Sequence, residues 1–127
     1  MNVVDSSGWP EYFANGANAD FFAQPLADTS ALVVPAISIA EVFKRVLAQC
    51  DEAAALQAAA LMQQGRVVAL DEGLAMSSAR LPFDLKLPMA DSIMLATTRQ
   101  FEAQLWTQDA DLATIPGVRY FAKAAGR

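Results

Sequence analysis

The chain has 127 residues, of which 54% are hydrophobic and 18% are charged, and its formal net charge is −5. This size and composition predict a single domain over residues 1–127, because a second domain would have no room to build its own core. The sequence contains no histidine, which excludes Ser-His-Asp and Cys-His nucleophile systems and every metal site with histidine ligands.

The predicted elements alternate between strands and helices along the chain. The first half is predicted to contain, in order, a strand over 2–5, a helix over 8–13, a short helix over 18–28 interrupted near Pro25, a strand over 32–35, and a helical hairpin over 38–50 and 51–64. Ser6, Ser7 and a first-position proline, Pro10, are the signals for the start of the first helix.

The second half of the chain continues the same alternation. It is predicted to contain a strand over 66–70, a helix over 71–80, a loop over 82–88, a helix ending near 101, a strand over 105–107, a turn over 109–115 and a last strand over 118–121. Strands separated by helices form parallel sheets with right-handed crossovers, so the pattern predicts an α/β fold with a mostly parallel central sheet.

Neither a disulfide nor a membrane segment is expected. Cys50 is the single cysteine, so no intrachain disulfide can form, and we expect a reducing compartment, the cytoplasm. The N-terminal residues lack the basic region of a signal peptide, and Asp5 falls within their first apolar stretch. The longest apolar-rich stretch, over 31–40, is far shorter than the roughly 20 residues of a membrane span.

Four acidic residues lie where a parallel α/β domain presents functional groups, at a strand end or a helix start: Asp5, Glu41, Asp91 and Asp109. Open α/β sheets bind ligands outside the carboxyl ends of their strands, so these side chains are expected to share one edge. Converging carboxylates repel one another, and an oxygen-ligated Mg²⁺ or Mn²⁺ would relieve that repulsion. We therefore predict a divalent metal site.

The charge count agrees with such a cluster. Removing the four acids and the neighbouring Asp111 from the 14 acidic residues leaves nine, which equals the nine basic residues. The net negative charge therefore corresponds to the predicted site, and bound cations would offset much of it.

Each carboxylate also has a structural explanation, which the sequence leaves open. Ser38–Glu41 matches the S-x-x-E capping box of a helix start. Asp91, three residues after Pro88, is suited to the first turn of a helix because the helix dipole favours an anion there. Asp5 can cap the helix that follows the first strand, and Asp109 can be a turn or cap residue.

The motifs around these acids occur in a characteristic order: Val3–Ser7, Ser38–Val42, Ala90–Thr97, Leu105–Leu112 and Pro116–Tyr120. Over nearly the whole chain this ordered set resembles PIN-domain ribonucleases, and specifically the small VapC-type toxins of type II toxin–antitoxin modules. The resemblance implies a three-layer α/β/α fold and a Mg²⁺- or Mn²⁺-dependent endoribonuclease that hydrolyses RNA phosphodiesters. It also implies a cognate antitoxin and a homodimer as partners.

The resemblance assigns roles to individual residues. It implies that Asp5, Glu41, Asp91 and Asp109 are the catalytic, metal-binding acids. Asp111 is a further candidate metal ligand at a more variable acidic position, and Ser6 and Thr107 are supporting hydroxyls. With no histidine in the chain, metal-bound hydroxide is the expected nucleophile.

Two further sets of residues are candidates for binding surfaces. The candidate phosphate contacts are Lys44, Arg45, Arg80 and Lys86, although all four could be solvated surface charges. A groove for an amphipathic antitoxin segment is predicted from Trp9, Phe13, Phe21, Phe22, Phe43 and Leu47, although these residues could equally belong to the core.

Two other functions remain open. A PIN-like module without catalysis would bind RNA or protein only. A Mg²⁺-binding phosphoacceptor signalling domain is disfavoured, because serines follow Asp5 and no lysine follows Thr107.

Overall fold

The computed structural model describes residues 1–124 of the chain. The strands of this region are β1 (Asn2–Val4), β2 (Val33–Pro35), β3 (Arg66–Val68), β4 (Gln104–Thr107) and β5 (Val118–Tyr120). The α-helices are α1 (Gly8–Phe13), α2 (Ala19–Leu26), α3 (Ala36–Gln49), α4 (Glu52–Met62), α5 (Glu72–Ala79) and α6 (Met89–Gln100). Single 3₁₀ turns occupy Thr29–Ala31, Phe83–Leu85 and Ala110–Leu112.

The strands form a parallel sheet with β1 near its centre. Strand β1 pairs with β4, β4 pairs with β5, and β2 pairs with β3, all in parallel. An isolated parallel bridge between Asn2 and Leu32 joins the two groups, so the order across the sheet is β3-β2-β1-β4-β5. The predicted parallel α/β arrangement is confirmed.

Successive side chains of the central strands enter two different cores, as expected for a strand covered on both faces. One core combines sheet residues with α1–α4 and contains Val4, Trp9, Phe22, Leu32, Val34, Val42, Ala58, Met62 and Trp106. The other combines sheet residues with α6 and the last 3₁₀ turn and contains Val3, Val33, Met94, Leu95, Leu105, Leu112 and Ile115. Helical segments therefore cover both faces of the sheet, which gives three layers.

The register of β1 and β4 decides what meets at the carboxyl edge. Val4 lies opposite Trp106, and the Asp5 N–H donates to the Trp106 carbonyl at 2.9 Å. Asp5 and Thr107 therefore emerge side by side at the carboxyl ends of adjacent strands, although 102 positions separate them in sequence.

The capping-box interpretation of Ser38–Glu41 is wrong. Strand β2 passes directly into α3 at Pro35, whose extended backbone (φ −61°, ψ 136°) makes it the N-cap, so the helix begins at Ala36. Ser38 is consequently inside the first turn, fully buried, and within the described residues its hydroxyl has no hydrogen-bond partner. Glu41 lies in the second turn, where capping no longer explains a carboxylate.

The prolines of the first two helices also differ from the prediction. Pro10 is the third residue of α1 rather than the first, and Ser7 at the N-cap makes no side-chain capping bond. Helix α2 runs through Pro25 and ends at Leu26. Pro25 is buried in the last turn, where its missing N–H costs only one intrahelical hydrogen bond.

The predicted aromatic groove is wrong in part. Trp9 and Phe22 are only 3% and 0% exposed and belong to the core. Phe13 and Phe21 are half-buried against that core, whereas Leu47 is an exposed residue of α3. Among residues 1–124, no helix has the length and apolar character needed to cross a bilayer.

Candidate functional site

The carboxyl edge of the sheet contains a cavity of about 270 Å³ that brings together all four predicted acids. Its lining residues are Asp5, Ser6, Ser7, Glu41, Arg45, Asp91 and Asp109. Asp5 follows β1, Asp109 follows β4, and Glu41 and Asp91 lie in the first two turns of α3 and α6. Strand ends and helix starts therefore supply every carboxylate of the cavity.

Asp5 is the most buried of these acids, with 4% of its surface exposed. Its Oδ2 accepts hydrogen bonds from Thr107 Oγ1 at 2.8 Å and from Ser7 Oγ at 2.9 Å. Burial raises the pKa of the Asp5 carboxyl above its ordinary value, and the Asp109 charge adds to that increase, while the two hydroxyl donors oppose it. These hydrogen bonds hold the side chain in place without removing the cost of burying its charge.

Thr107 links Asp5 to the segment that carries Asp109. Its Oγ1 donates to Asp5 and accepts a hydrogen bond from the Asp109 N–H at 2.9 Å. Asp109 Oδ1 in turn accepts from the Asp111 N–H at 2.9 Å and caps the 3₁₀ turn at Ala110–Leu112. The cap interpretation of Asp109 is therefore confirmed, and this carboxylate both caps the turn and lines the cavity.

Glu41 is held by the other predicted hydroxyl. Ser6 Oγ donates to Glu41 Oε1 at 2.6 Å. Both serines after β1 thus donate to carboxylates of the cavity, Ser6 to Glu41 and Ser7 to Asp5. The sequence predicts only helix capping for Ser7, so its contact with Asp5 is a finding of the structure.

Asp91 has a raised pKa that combines burial with repulsion from the other acids. Burial raises its pKa to about 6, and the charges of Asp5, Glu41, Asp109 and Asp111 contribute to the same increase. A carboxylate in the first turn of a helix is ordinarily stabilised by the helix dipole. At Asp91 burial and the neighbouring carboxylates act against that stabilisation. Asp111 is exposed and outside the cavity lining, so its effect on Asp91 is long-range.

The donor atoms of the cavity fit a hard divalent cation. Carboxylate oxygens are the ligands that Mg²⁺ and Mn²⁺ prefer. A cation there would stabilise the ionised form of Asp91, whose pKa is raised by burial and by the neighbouring carboxylates. The acids surround the cavity rather than meeting at one point: across residues 1–124, no three potential ligands of the His, Cys, Asp and Glu types are close enough to hold an ion as placed.

The predicted phosphate contacts are separated by the fold. Arg45 lines the acidic cavity, one turn after Glu41 on α3. Lys86 adopts a left-handed backbone (φ 52°) and lines a different cavity of about 220 Å³ beside the Phe83–Leu85 turn. Lys44 and Arg80 are exposed residues outside the acidic lining. Arg45 is therefore the predicted phosphate contact that adjoins the acids.

A buried amide pair behind the cavity was not predicted. Asn18 Nδ2 donates to Gln108 Oε1 at 3.0 Å and to the Ala122 carbonyl at 3.0 Å. Gln108 Nε2 reaches the Ser7 carbonyl at 3.4 Å. The sequence contains no local signal for these contacts, because each partner is about 90 or more positions away from the other.

The sequence of the chain matches one family of known proteins. The sequence profile of the PIN domain matches residues 3–118. No curated protein matches the chain.

Solved structures show the same fold at low sequence identity. A toxin–antitoxin complex from Klebsiella pneumoniae matches with a TM-score of 0.78 and 22% identity, covering 94% of this chain and 96% of that one. VapC20 from Mycobacterium tuberculosis, described as a Sarcin-Ricin loop cleaving toxin, matches with a TM-score of 0.75 and 19% identity, covering 93% and 97%. VapBC2 from Rickettsia felis, bound to a promoter DNA fragment, matches with a TM-score of 0.71 and 11% identity, covering 95% and 97%.

These comparisons confirm the three-layer α/β/α fold that the sequence motifs implied. The profile match extends from β1 to the start of β5 and includes all four acids of the cavity. The chain therefore belongs to the PIN-domain family.

Proposed function

We propose that the protein is a Mg²⁺- or Mn²⁺-dependent endoribonuclease that hydrolyses RNA phosphodiesters as the toxin of a type II toxin–antitoxin pair. The observation that carries the proposal is the convergence of four carboxylates on one cavity at the carboxyl edge of a PIN-domain sheet. The similar structures support it, since one is described as a Sarcin-Ricin loop cleaving toxin and another as a toxin–antitoxin complex.

The chemistry that a bound divalent cation supplies here is stabilisation of phosphate charge and activation of a water molecule. Asp5 and Asp91 are the proposed direct ligands, and Glu41 binds directly or through water. Thr107 orients Asp5 through the hydrogen bond at Oδ2, and Ser6 orients Glu41 in the same way. Asp109 would hold a second ion or orient the attacking water.

The test of this function is cleavage of RNA by the purified protein with added Mg²⁺ or Mn²⁺ and with EDTA. We expect internal cleavage of a suitable RNA that depends on the metal and stops on chelation. RNA binding without cleavage at any metal concentration would instead favour the non-catalytic PIN-like module.

Replacing Thr107 by valine is expected to lower cleavage activity by about 10–100-fold, the usual effect of removing a group that orients a metal ligand. Valine keeps the buried shape, but it removes the donor to Asp5 and the acceptor for the Asp109 N–H. The measurement is the cleavage rate as a function of Mn²⁺ concentration. We expect the Mn²⁺ concentration that gives half of the maximal rate to increase.

Thr97→Val is the matched control for this substitution. Thr97 is equally buried, but its hydroxyl donates only to the Ile93 carbonyl of its own helix. Equal losses of activity in both variants would show a general packing effect and contradict the role assigned to Thr107.

We further propose an antitoxin segment and a second copy of the chain as partners. An apolar groove of about 350 Å³ lies between α1, α3 and α4, and Phe13, Val46 and Leu61 are among its lining residues. Its apolar lining suits an amphipathic helix. A light-scattering mass of one chain at micromolar concentration, both alone and with a cognate antitoxin, would contradict both partners.

A further inference from the structure

We propose that Arg45 and Lys123 form a phosphate subsite beside the acidic cavity, which binds the RNA backbone next to the cleaved bond. The inference rests on the proposed ribonuclease function, because it assigns a neighbouring part of the same substrate. Lys123 follows the last strand and matches none of the sequence motifs.

The subsite is a second cavity that shares a wall with the acidic one. It has a volume of about 470 Å³, and its lining includes Glu11, Arg45, Gln108 and Lys123. Arg45 lines both cavities, and Gln108 lies between Thr107 and Asp109 in the chain. A strand of RNA with one phosphate at the acids can therefore place an adjacent phosphate here.

The first cavity has an excess of acidic side chains, whereas the second has an excess of basic ones. The acidic cavity contains four carboxylates and Arg45, whereas this one contains Arg45, Lys123 and the single carboxylate of Glu11. Glu11 Oε2 already accepts a hydrogen bond from the Asn18 N–H at 2.8 Å. Because phosphate binding depends on local positive charge, the second cavity is the one that can hold a phosphate without a metal ion.

The segment before Lys123 is fixed at the edge of the site. The Phe121 N–H donates to the Thr107 carbonyl at 3.1 Å, and the Phe121 ring lies 5.2 Å from the Phe21 ring. The carbonyl of the following residue, Ala122, accepts a hydrogen bond from Asn18 Nδ2.

Asn18 also holds Gln108, so one buried amide joins this segment to the loop that carries Asp109. Burying an amide is favourable only when its hydrogen bonds are satisfied. This network holds the backbone directly before Lys123 beside the loop that carries Asp109, and so gives the buried polar pair a function in the subsite.

The test compares the steady-state cleavage of a short single-stranded RNA by Lys123→Ala and wild-type protein over a range of KCl concentrations. We expect Lys123→Ala to raise KM about threefold to tenfold with kcat unchanged, because a phosphate contact contributes uniform binding. The negative slope of log(kcat/KM) against log salt should become less steep by about 0.7, the value for one contact to a single strand.

Two further variants separate a local subsite from general electrostatics. Lys123→Arg keeps the charge and should restore the wild-type KM. Arg99→Ala removes an exposed cation at the far end of α6 from Asp91 and should leave the salt slope unchanged. An equal effect of Arg99→Ala and Lys123→Ala would overturn the subsite.

The outcomes also separate the subsite from the proposed function. If wild-type protein cleaves RNA and Lys123→Ala has wild-type KM and salt slope, the subsite is wrong and the ribonuclease function stands. If wild-type protein cleaves no RNA with Mg²⁺ or Mn²⁺, both proposals fail.

Discussion

Asp5→Asn and Asp91→Asn are each expected to reduce metal-dependent RNA cleavage by at least about 100-fold, since losing even an indirect support of a metal ligand costs up to that factor. Each substitution removes an anionic oxygen from the cavity while preserving the shape of the side chain. The measurement is the cleavage rate over a titration of Mn²⁺, with circular dichroism to establish that the variants fold.

The Asp5→Asn substitution should lower the cleavage activity without lowering the stability of the fold. Because burial raises the pKa of this carboxyl, the ionised form is less favourable in the folded protein than in the unfolded chain. Asparagine removes that charge, and its carbonyl can still accept from Thr107 and Ser7. We therefore expect metal-free Asp5→Asn to have a Tm at pH 7.5 at or above that of the wild type.

Asp20→Asn is the matched control, because Asp20 is an exposed acid in the first turn of α2 and lies outside the acidic cavity. It should retain wild-type cleavage. Full activity of either Asp5→Asn or Asp91→Asn would refute the metal-site assignment. A large drop in Tm for Asp5→Asn would show that the carboxylate stabilises the fold instead.

The acidic cavity was predictable because a parallel sheet converts strand ends into a common edge. Asp5 directly follows an apolar strand, and Asp109 follows another, so their meeting needs only that β1 and β4 pair in register. Periodicity and strand-to-helix order contain that information. Glu41 and Asp91 follow from the same geometry, since α3 and α6 begin at this edge.

Contacts that depend on tertiary placement were not predictable in the same way. Whether Ser7 caps a helix or donates to Asp5 depends on where the Asp5 side chain points. The hydrogen-bond partners of Asn18, the Gln108 side chain and the Ala122 carbonyl, are 90 and 104 positions away in sequence, so no local pattern predicts them. Lys123 becomes part of a cavity only because the chain after β5 continues alongside the end of β4, where the Phe121 N–H donates to the Thr107 carbonyl.

The aromatic residues show a related limit. Apolar spacing marks a helix face as buried, but it does not distinguish burial in a core from a groove kept open for a partner. Trp9 and Phe13 are four positions apart on α1. Trp9 is buried in the core against the sheet, whereas Phe13 lines the apolar groove between α1, α3 and α4. Which residue does which is decided by the position of α3 and α4, far along the chain.

The stability of the metal-free protein should fall as pH rises from about 5 to 7.5. The Asp91 carboxyl has an ordinary pKa of 3.8 and a pKa of about 6 in the fold. Between these pH values the carboxyl is protonated in the folded protein but ionised in the unfolded chain. Its stabilising contribution is fully present below pH 3.8 and is lost as pH rises through about 6. The raised pKa of Asp5 acts in the same direction.

Added Mn²⁺ should reverse this loss, because a cation binds the ionised carboxylates and stabilises the folded state by mass action. The gain in Tm on adding Mn²⁺ should therefore be larger at pH 7.5 than at pH 5, and Asp91→Asn should reduce both the pH dependence and the gain. Differential scanning fluorimetry across pH, with and without metal, measures these effects directly. A metal-free Tm that rises through this window would mean that burial and mutual repulsion do not destabilise the ionised acids of the cavity. The physical reason for placing a cation among them would then be lost.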